Sequence, residues 1–384
     1  MTRRARLVPA AVVLVLACGC RSREQAEVPP ASQPAPPATR PAGDPMLSVN
    51  TLLPAPEDYA RLRIGTADYP IPPYAKFLEG VRICLNPGHG GDAHKRAFKR
   101  GPTGVREAEI NLRVARYLRD CLVAAGADVL MTREADIALS YAQRAAIANE
   151  WPADLFVSLH HNAIGNKPQV NYTTVWYHGS VDEHPASLDL ARYLCWGLYD
   201  ALAVEQITDV PVKSDQLMYK NGFAVLRHAR VTAALCETSF YTNPQEEQRL
   251  RDPEYNLREA WGLFIGLAKY AAAGLPRARL IDPADGVVPT TGRSGPPPLV
   301  FELDDGLRRR KAWGHERRMI LTDSISAQVD GVAVEAVLHD DGKRYLLEVH
   351  PPAELAPGAH ALRLHFENMM KNSVLGPNFV FELR

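Results

Sequence analysis

A chain of 384 residues, 46% of them apolar, is long enough for two domains and can bury a substantial core. Its 44 basic and 44 acidic side chains cancel. This balance argues against a nucleic-acid-binding protein, which needs a basic excess to displace the counterions of phosphate groups.

The first twenty residues have the pattern of a bacterial export signal. Three arginines among the first six residues precede the apolar run 7–17, which is too short to span a bilayer. Small residues before a cysteine resemble the lipobox of bacterial lipoproteins, with Cys20 as the preferred lipidation site and Cys18 as the alternative. A plain signal peptide is the competing interpretation. We therefore expect an exported protein of the cell envelope, anchored by lipid and facing the periplasm.

The next segments are not expected to build a core. Residues 21–45 contain seven prolines and few large apolar side chains, which predicts a semi-extended tether. Residues 46–79 form a lead-in whose structure the pattern does not define. Together they would allow a working domain to reach away from a membrane.

Residues 80–274 alternate between strand and helix patterns, which predicts an α/β domain with a mostly parallel or mixed sheet flanked by helices. Residues 110, 114, 118, 121 and 122 show the helical spacing, for example. The predicted strands are 81–85, 129–132, 155–160, 172–177, 224–226 and 232–236, and the predicted helices are 108–125, 140–150, 185–203 and 253–273.

The sequence pattern changes in the C-terminal part, residues 275–384. Residues 275–298 are rich in proline and glycine and are predicted to be a linker, while 299–384 show the alternation of half-buried strands without a helical period. We expect a small all-β sandwich, and the hairpin at 355–366 resembles immunoglobulin-like modules. An envelope polymer as ligand, a partner protein and mere spacing are all open as the role of this module. The basic cluster within 307–318 is interpreted as a solvated loop, with contact to an anionic polymer or lipid as the alternative.

Four cysteines remain after the export signal, and each lies in an apolar element. We expect small core residues, although a disulfide between Cys84 and Cys236 is open in an exported protein.

Four side chains have the types and positions of a zinc hydrolase site. His89 follows the first strand in a glycine-rich turn, Glu107 opens the next helix, His160 ends a strand and Glu237 follows the last strand. Ligands of α/β sheets collect beyond the carboxyl ends of strands. Two His and one carboxylate can hold catalytic zinc with one position open, and a second carboxylate can transfer protons. A structural, ion-paired Glu237 is the plainer alternative.

Two of these assignments have a neighbour that competes with them. Glu109 lies two positions after Glu107 and points nearly the opposite way on a helix, so one of the two can face a metal. His161 follows His160 and points to the other side of the strand. Spacing alone does not choose within either pair.

Four motifs, in chain order, carry a resemblance to a known family. They are Asn86-Pro-Gly-His-Gly-Gly91, Gly104-Val-Arg-Glu-Ala-Glu-Ile-Asn-Leu112, Ser158-Leu-His-His-Asn162 and Leu235-Cys-Glu-Thr-Ser-Phe-Tyr-Thr-Asn-Pro244. With these motifs, residues 81–273 resemble the zinc-dependent N-acetylmuramoyl-L-alanine amidases of type 3, which act on bacterial peptidoglycan.

The resemblance selects Glu107 and His160 as ligands beside His89, with one Zn²⁺ per domain. It implies hydrolysis of the amide between N-acetylmuramic acid and L-alanine, with zinc-activated water as nucleophile and Glu237 as general base and acid. The alternatives are an amidase-like module that binds wall or regulates without cutting, and a zinc carboxypeptidase that acts elsewhere on the stem peptide.

Other positions are weaker candidates. Asn162 could orient the ligands, and His161 could contact substrate or support the ligands from behind. Arg227 lies in a shorter segment, Val225-Leu-Arg227, that also resembles the family. Asn86 departs from the family, which has Asp there, and this change would weaken any negative charge behind the ligands.

Overall fold

The computed structural model describes residues 69–384 except 203, 205–207, 290–294, 309–318 and 341–343. The predicted export signal, both candidate lipidation cysteines and the tether lie outside the described residues. So do most of the lead-in and most of the basic cluster. Across the described part of the chain, every helix is too short or too polar to cross a bilayer.

A six-stranded mixed sheet forms the centre of the first domain, as the alternation of elements predicts. Its strands stand in the order β2-β1-β3-β6-β4-β5. All neighbours are parallel except β4, which runs antiparallel to β6. The strands are β1 Arg82–Pro87, β2 Asp128–Met131, β3 Leu155–Asn162, β4 Thr174–Tyr177, β5 Val212–Ser214 and β6 Thr232–Phe240.

Helices cover both faces of this sheet because its strands are apolar on both sides. The α1, α3 and α6 helices pack on the face that carries Ile83 and Val157, and α2 and α4 pack on the face that carries Cys84 and Phe156. The helices are α1 Glu107–Ala124, α2 Tyr141–Glu150, α3 Pro185–Ala201, α4 Ala224–Arg227, α5 Pro244–Arg251 and α6 Pro253–Ala272.

The cysteines after the export signal are buried and free in the described structure. Cys84 and Cys236 lie in cores on opposite faces of the sheet, so the disulfide left open by the sequence is not formed. Burial raises the pKa of the Cys84 thiol to about 12, which fits an inert core residue.

The predicted strand at 224–226 is wrong, because these residues form the short helix α4. Asn221 and Gly222 turn the chain, Gly222 at φ +62°, and Asp215 accepts a hydrogen bond from the Phe223 amide at 2.7 Å. Val225 and Leu226 are buried in this helical turn, and they would also be buried in a strand. A short apolar run does not distinguish the two by its periodicity.

Two β-sheets make up the C-terminal part and enclose one shared core. One has the order β11-β10-β14-β15-β8 and the other β12-β13-β9-β7. The predicted linker at 275–298 therefore differs from the structure, since it contributes β7 and β8. The strands are β7 Arg277–Asp282, β8 Val287–Val288, β9 Leu299–Asp304, β10 Ile320–Val329, β11 Val332–Val334, β12 Ala336–Asp340, β13 Tyr345–Val349, β14 Gly358–Asn368 and β15 Asn378–Leu383.

The two parts of the chain are joined at the edge where β1 and β3 begin. The turn after β14 inserts there, and Leu375 packs into the core of the first domain. The Asn372 amide donates to the Gly274 carbonyl at 2.6 Å, and the Asn368 amide donates to the Ala273 carbonyl at 2.9 Å. These amides therefore satisfy carbonyl groups at the C-terminal end of α6, which a helix cannot satisfy internally.

Replacing Asn372 by Ala should destabilise the protein, because it leaves the buried Gly274 carbonyl without its donor. We expect the free energy of unfolding to fall by about 1–3 kcal/mol, measured by urea denaturation. Asn378→Ala is the matched control, since Asn378 is exposed on β15. Equal stability of the two variants would contradict a joint held by these hydrogen bonds.

Candidate metal centre

The three predicted ligands lie together at the edge of the sheet where β1 and β3 end. Nε2 of His89 is 3.0 Å from Oε1 of Glu107, and Nδ1 of His160 is 3.1 Å from the same oxygen. The two histidine nitrogens are 3.2 Å apart, and the rings are nearly perpendicular. Of all described residues, these three form the one group whose donor atoms converge in this way.

The donor set and its dimensions fit zinc. Bonds of about 2.0–2.1 Å at tetrahedral angles place ligand atoms roughly 3.3 Å apart, close to the observed triangle. A carboxylate has no hydrogen to donate, and each neutral imidazole has one N–H. A cation between His89 Nε2, His160 Nδ1 and Glu107 Oε1 would accept a lone pair from each of these atoms.

The His89 turn is held from below by two buried arginines. Arg133 donates to the carbonyl of Gly88 at 2.7 Å, and Arg144 donates to the carbonyl of His89 at 2.7 Å. His89 itself adopts φ +58°, which a residue with a side chain seldom does. These guanidinium groups therefore fix a strained turn that points the imidazole at the centre.

Asn86 belongs to the same support rather than to the ligand set. Its side-chain oxygen accepts hydrogen bonds from Thr132 at 2.8 Å and from Arg144 at 2.9 Å, and its amide donates to Ser158. An amide oxygen thus accepts the hydrogen bond from the Arg144 guanidinium. The arginine remains bound without a formal ion pair.

Glu107 stands at the start of α1 with its two oxygens in different surroundings. Oε1 faces the histidines, while Nζ of Lys99 is 3.6 Å from Oε2. Burial raises the pKa of Glu107, but His89, His160 and Lys99 outweigh this effect and hold the pKa well below its ordinary value. The carboxylate is therefore ionised, as a metal ligand must be.

The turn before Glu107 is fixed from α5. Glu247 is fully buried and accepts hydrogen bonds from the amides of Thr103 at 2.9 Å and Val105 at 3.1 Å. The contact joins residues more than 140 positions apart and holds the loop that delivers the ligand.

The neighbour of each ligand faces elsewhere. Glu109 binds Arg106 at 2.7 Å, and burial raises its pKa to about 7. His161 is buried on the α1 and α6 side of the sheet, between Asn111 at 2.8 Å and Glu259 at 3.1 Å. It therefore supports the site from behind, since Asn111 also donates to the Gly88 carbonyl, and substrate contact is not available to its side chain.

His160 is held as a neutral ligand. Burial lowers the pKa of His160 to about 4, although its bond to Glu107 acts in the other direction. A neutral imidazole offers a lone pair to a metal at physiological pH. Gly88 passes directly under this ring, and a Cβ at position 88 would stand 2.2 Å from Cε1 of His160.

Glu237 lies beside His160 because β6 pairs with β3 in register at these two residues. Paired positions on neighbouring strands face the same side of a sheet. Burial raises the pKa of Glu237 well above its ordinary value, Glu107 adds to the increase and Lys99 opposes it. Its Oε2 is buried and has no hydrogen-bond partner among the described residues. This carboxylate is thus set to exchange a proton with a bound group.

The remaining two weaker candidates, Asn162 and Arg227, have hydrogen bonds elsewhere. The side-chain oxygen of Asn162 accepts a hydrogen bond from the Ala163 amide at 2.8 Å. Arg227 is exposed and donates to the Asn221 carbonyl at 2.6 Å. Within the described part of the chain, no hydrogen bond joins either side chain to His89, Glu107 or His160.

Comparison with known proteins agrees with this geometry. The family model described as N-acetylmuramoyl-L-alanine amidase matches residues 83–269. The germination-specific N-acetylmuramoyl-L-alanine amidase of Bacillus subtilis is 28% identical over 52% of this chain and 83% of its own length. An N-acetylmuramoyl-L-alanine amidase of Bacillus licheniformis, CwlM, is 30% identical over 49% of this chain and 68% of its own.

A solved structure of the N-acetylmuramoyl-L-alanine amidase AmiC2 of Nostoc punctiforme is 27% identical and covers 50% of this chain and 98% of its own, with a TM-score of 0.43. The matched family segment carries all three convergent ligands together with Glu237. The chain therefore belongs to the N-acetylmuramoyl-L-alanine amidase family.

Proposed function

We propose that this protein hydrolyses the amide between N-acetylmuramic acid and L-alanine in peptidoglycan. The observation that carries the proposal is the convergence of three zinc-type donor atoms with a half-buried carboxylate next to them on the adjacent strand. The Oε2 atom of this carboxylate is buried and has no hydrogen-bond partner among the described residues. Family membership supplies the bond that is cut.

Three residues would bind the metal, and a fourth residue would transfer protons. His89, Glu107 and His160 would hold the zinc, which supplies Lewis acidity that polarises the amide carbonyl and lowers the pKa of water. Glu237 takes a proton from the attacking water and returns it to the leaving nitrogen. Its raised pKa suits this exchange, because a general base and acid works best near the ambient pH.

The setting of the enzyme is also a proposal. We infer export to the cell envelope and anchoring in the membrane through Cys20, or Cys18, facing the periplasm. The pattern of residues 1–20 supports this inference. We also infer that the two C-terminal sheets form an immunoglobulin-like sandwich, and their shared core supports this assignment.

Mass spectrometry of digested wall sacculi tests the function. The zinc-loaded full chain should release peptides that begin with free L-alanine and leave the glycan strands intact, and a chelator should stop the release. Shortened stem peptides that remain attached to glycan would instead identify a carboxypeptidase. Wall binding without released peptides would identify a binding module.

A further inference from the structure

A cation stands at the rim of the metal centre, in the loop between β1 and α1. Nζ of Lys99 is 3.6 Å from Oε2 of Glu107, and 36% of its side chain is exposed. A lysine ammonium is ordinarily charged at neutral pH. Lys99 therefore presents a positive charge, partly open to solvent, beside Glu107.

The backbone holds Lys99 in this position. Lys99 adopts φ +52°, and its carbonyl accepts a hydrogen bond from the Glu107 amide at 3.0 Å. One step further, Arg100 and Arg106 form an antiparallel bridge that closes the loop. Residues other than glycine rarely adopt a positive φ unless their surroundings enforce it. The backbone of Lys99 is thus fixed by the fold, and the side chain starts from a set position beside Glu107.

The substrate has an anionic group within reach of this cation. On a stem peptide, the second residue carries either a free α-carboxylate or its amide. Consecutive Cα atoms are 3.8 Å apart, so this group lies within about 7 Å of the scissile nitrogen. Glu107 and Glu237 at the centre would repel a carboxylate there, and a cation beside them offsets part of this repulsion.

We propose that Lys99 binds the carboxylate on the second residue of the stem peptide, so that the enzyme prefers stems with a free carboxylate over amidated stems. This inference rests on the proposed function. Lys99 is thereby a specificity-determining residue for the leaving side of the amide.

The test compares two soluble substrates that differ only in amidation of the second stem residue. Lys99→Met in the zinc-loaded full chain should lower kcat/KM for the free carboxylate by about 10–100-fold, mainly through KM, as expected for a lost hydrogen bond between charged groups. Cleavage of the amidated substrate should fall by a clearly smaller factor, since it loses only the support that Lys99 gives to Glu107. Lys99→Arg should retain the preference, and Lys95→Met, an exposed lysine of the same loop, should behave as the unmutated enzyme.

Two measurements separate this role from simple support of Glu107. Both substrates are compared at saturating zinc, and zinc affinity is measured by chelator competition, because weaker support of Glu107 would lower both cleavage rates alike. An equal fold loss on both substrates would overturn the proposal. If the unmutated enzyme cleaves neither substrate, the proposed function is contradicted. In that case the dissociation constants of both substrates are measured by calorimetry. Tighter binding of the free carboxylate that depends on Lys99 would still support this inference, and equal binding would overturn it.

Discussion

Replacing Glu237 by Gln is expected to lower kcat for amide cleavage by about 10²–10⁴-fold, the range of a lost general base and acid. The amide of Gln has nearly the volume of the carboxylate but does not accept the proton of the attacking water. Zinc content should remain one ion per chain, because Glu237 is not among the three convergent ligands. Release of L-alanine-headed peptides and metal analysis measure the two effects.

The control for this variant is Glu150→Gln, which changes an exposed carboxylate at the end of α2. Its turnover should match that of the unmutated enzyme. The pH profile adds a second measurement. Burial and Glu107 raise the pKa of Glu237, so kcat/KM should begin to fall with decreasing pH well above the ordinary value of 4.5. Undiminished turnover of Glu237→Gln would remove this residue from the mechanism.

Replacing Gly88 by Ala is expected to disrupt the metal centre through a single methyl group. The new Cβ would stand 2.2 Å from Cε1 of His160, with the other ring atoms almost as close. The ring or the turn must move, and both carry ligands. Displaced ligand geometry lowers metal affinity by about 10–100-fold, and cleavage should fall at least as far.

Gly165→Ala is the matched control, because a Cβ there meets no atom within 4 Å. Zinc affinity should be measured by chelator competition and folding by circular dichroism. A folded Gly88→Ala variant with the zinc affinity of the control would show that His160 does not bind the metal in this position.

The sequence predicted the site better than it predicted the elements around it. His89, Glu107, His160 and Glu237 each follow or open a patterned element, so their meeting at one edge of a parallel sheet could be expected. The choice between His160 and His161 needed the family motif. The structure shows its physical basis, since the His160 ring reaches His89 and Glu107. The His161 ring lies instead between Asn111 and Glu259.

The supporting residues could not be found in the same way. Glu247 reads as an ordinary acidic residue in the first turn of a helix, yet it binds a loop more than 140 positions earlier. Lys99 stands among other basic residues, and nothing local separates it from Lys95.

The C-terminal sheets are attached away from the metal centre. These sheets meet the first domain where β1 and β3 begin, through the carbonyl groups that end α6. The metal centre lies at the other end of the same strands. As far as the described residues extend, no C-terminal contact is made at that end. In the described residues, the attachment of the C-terminal sheets and the group formed by His89, Glu107 and His160 therefore occupy opposite ends of the same strands.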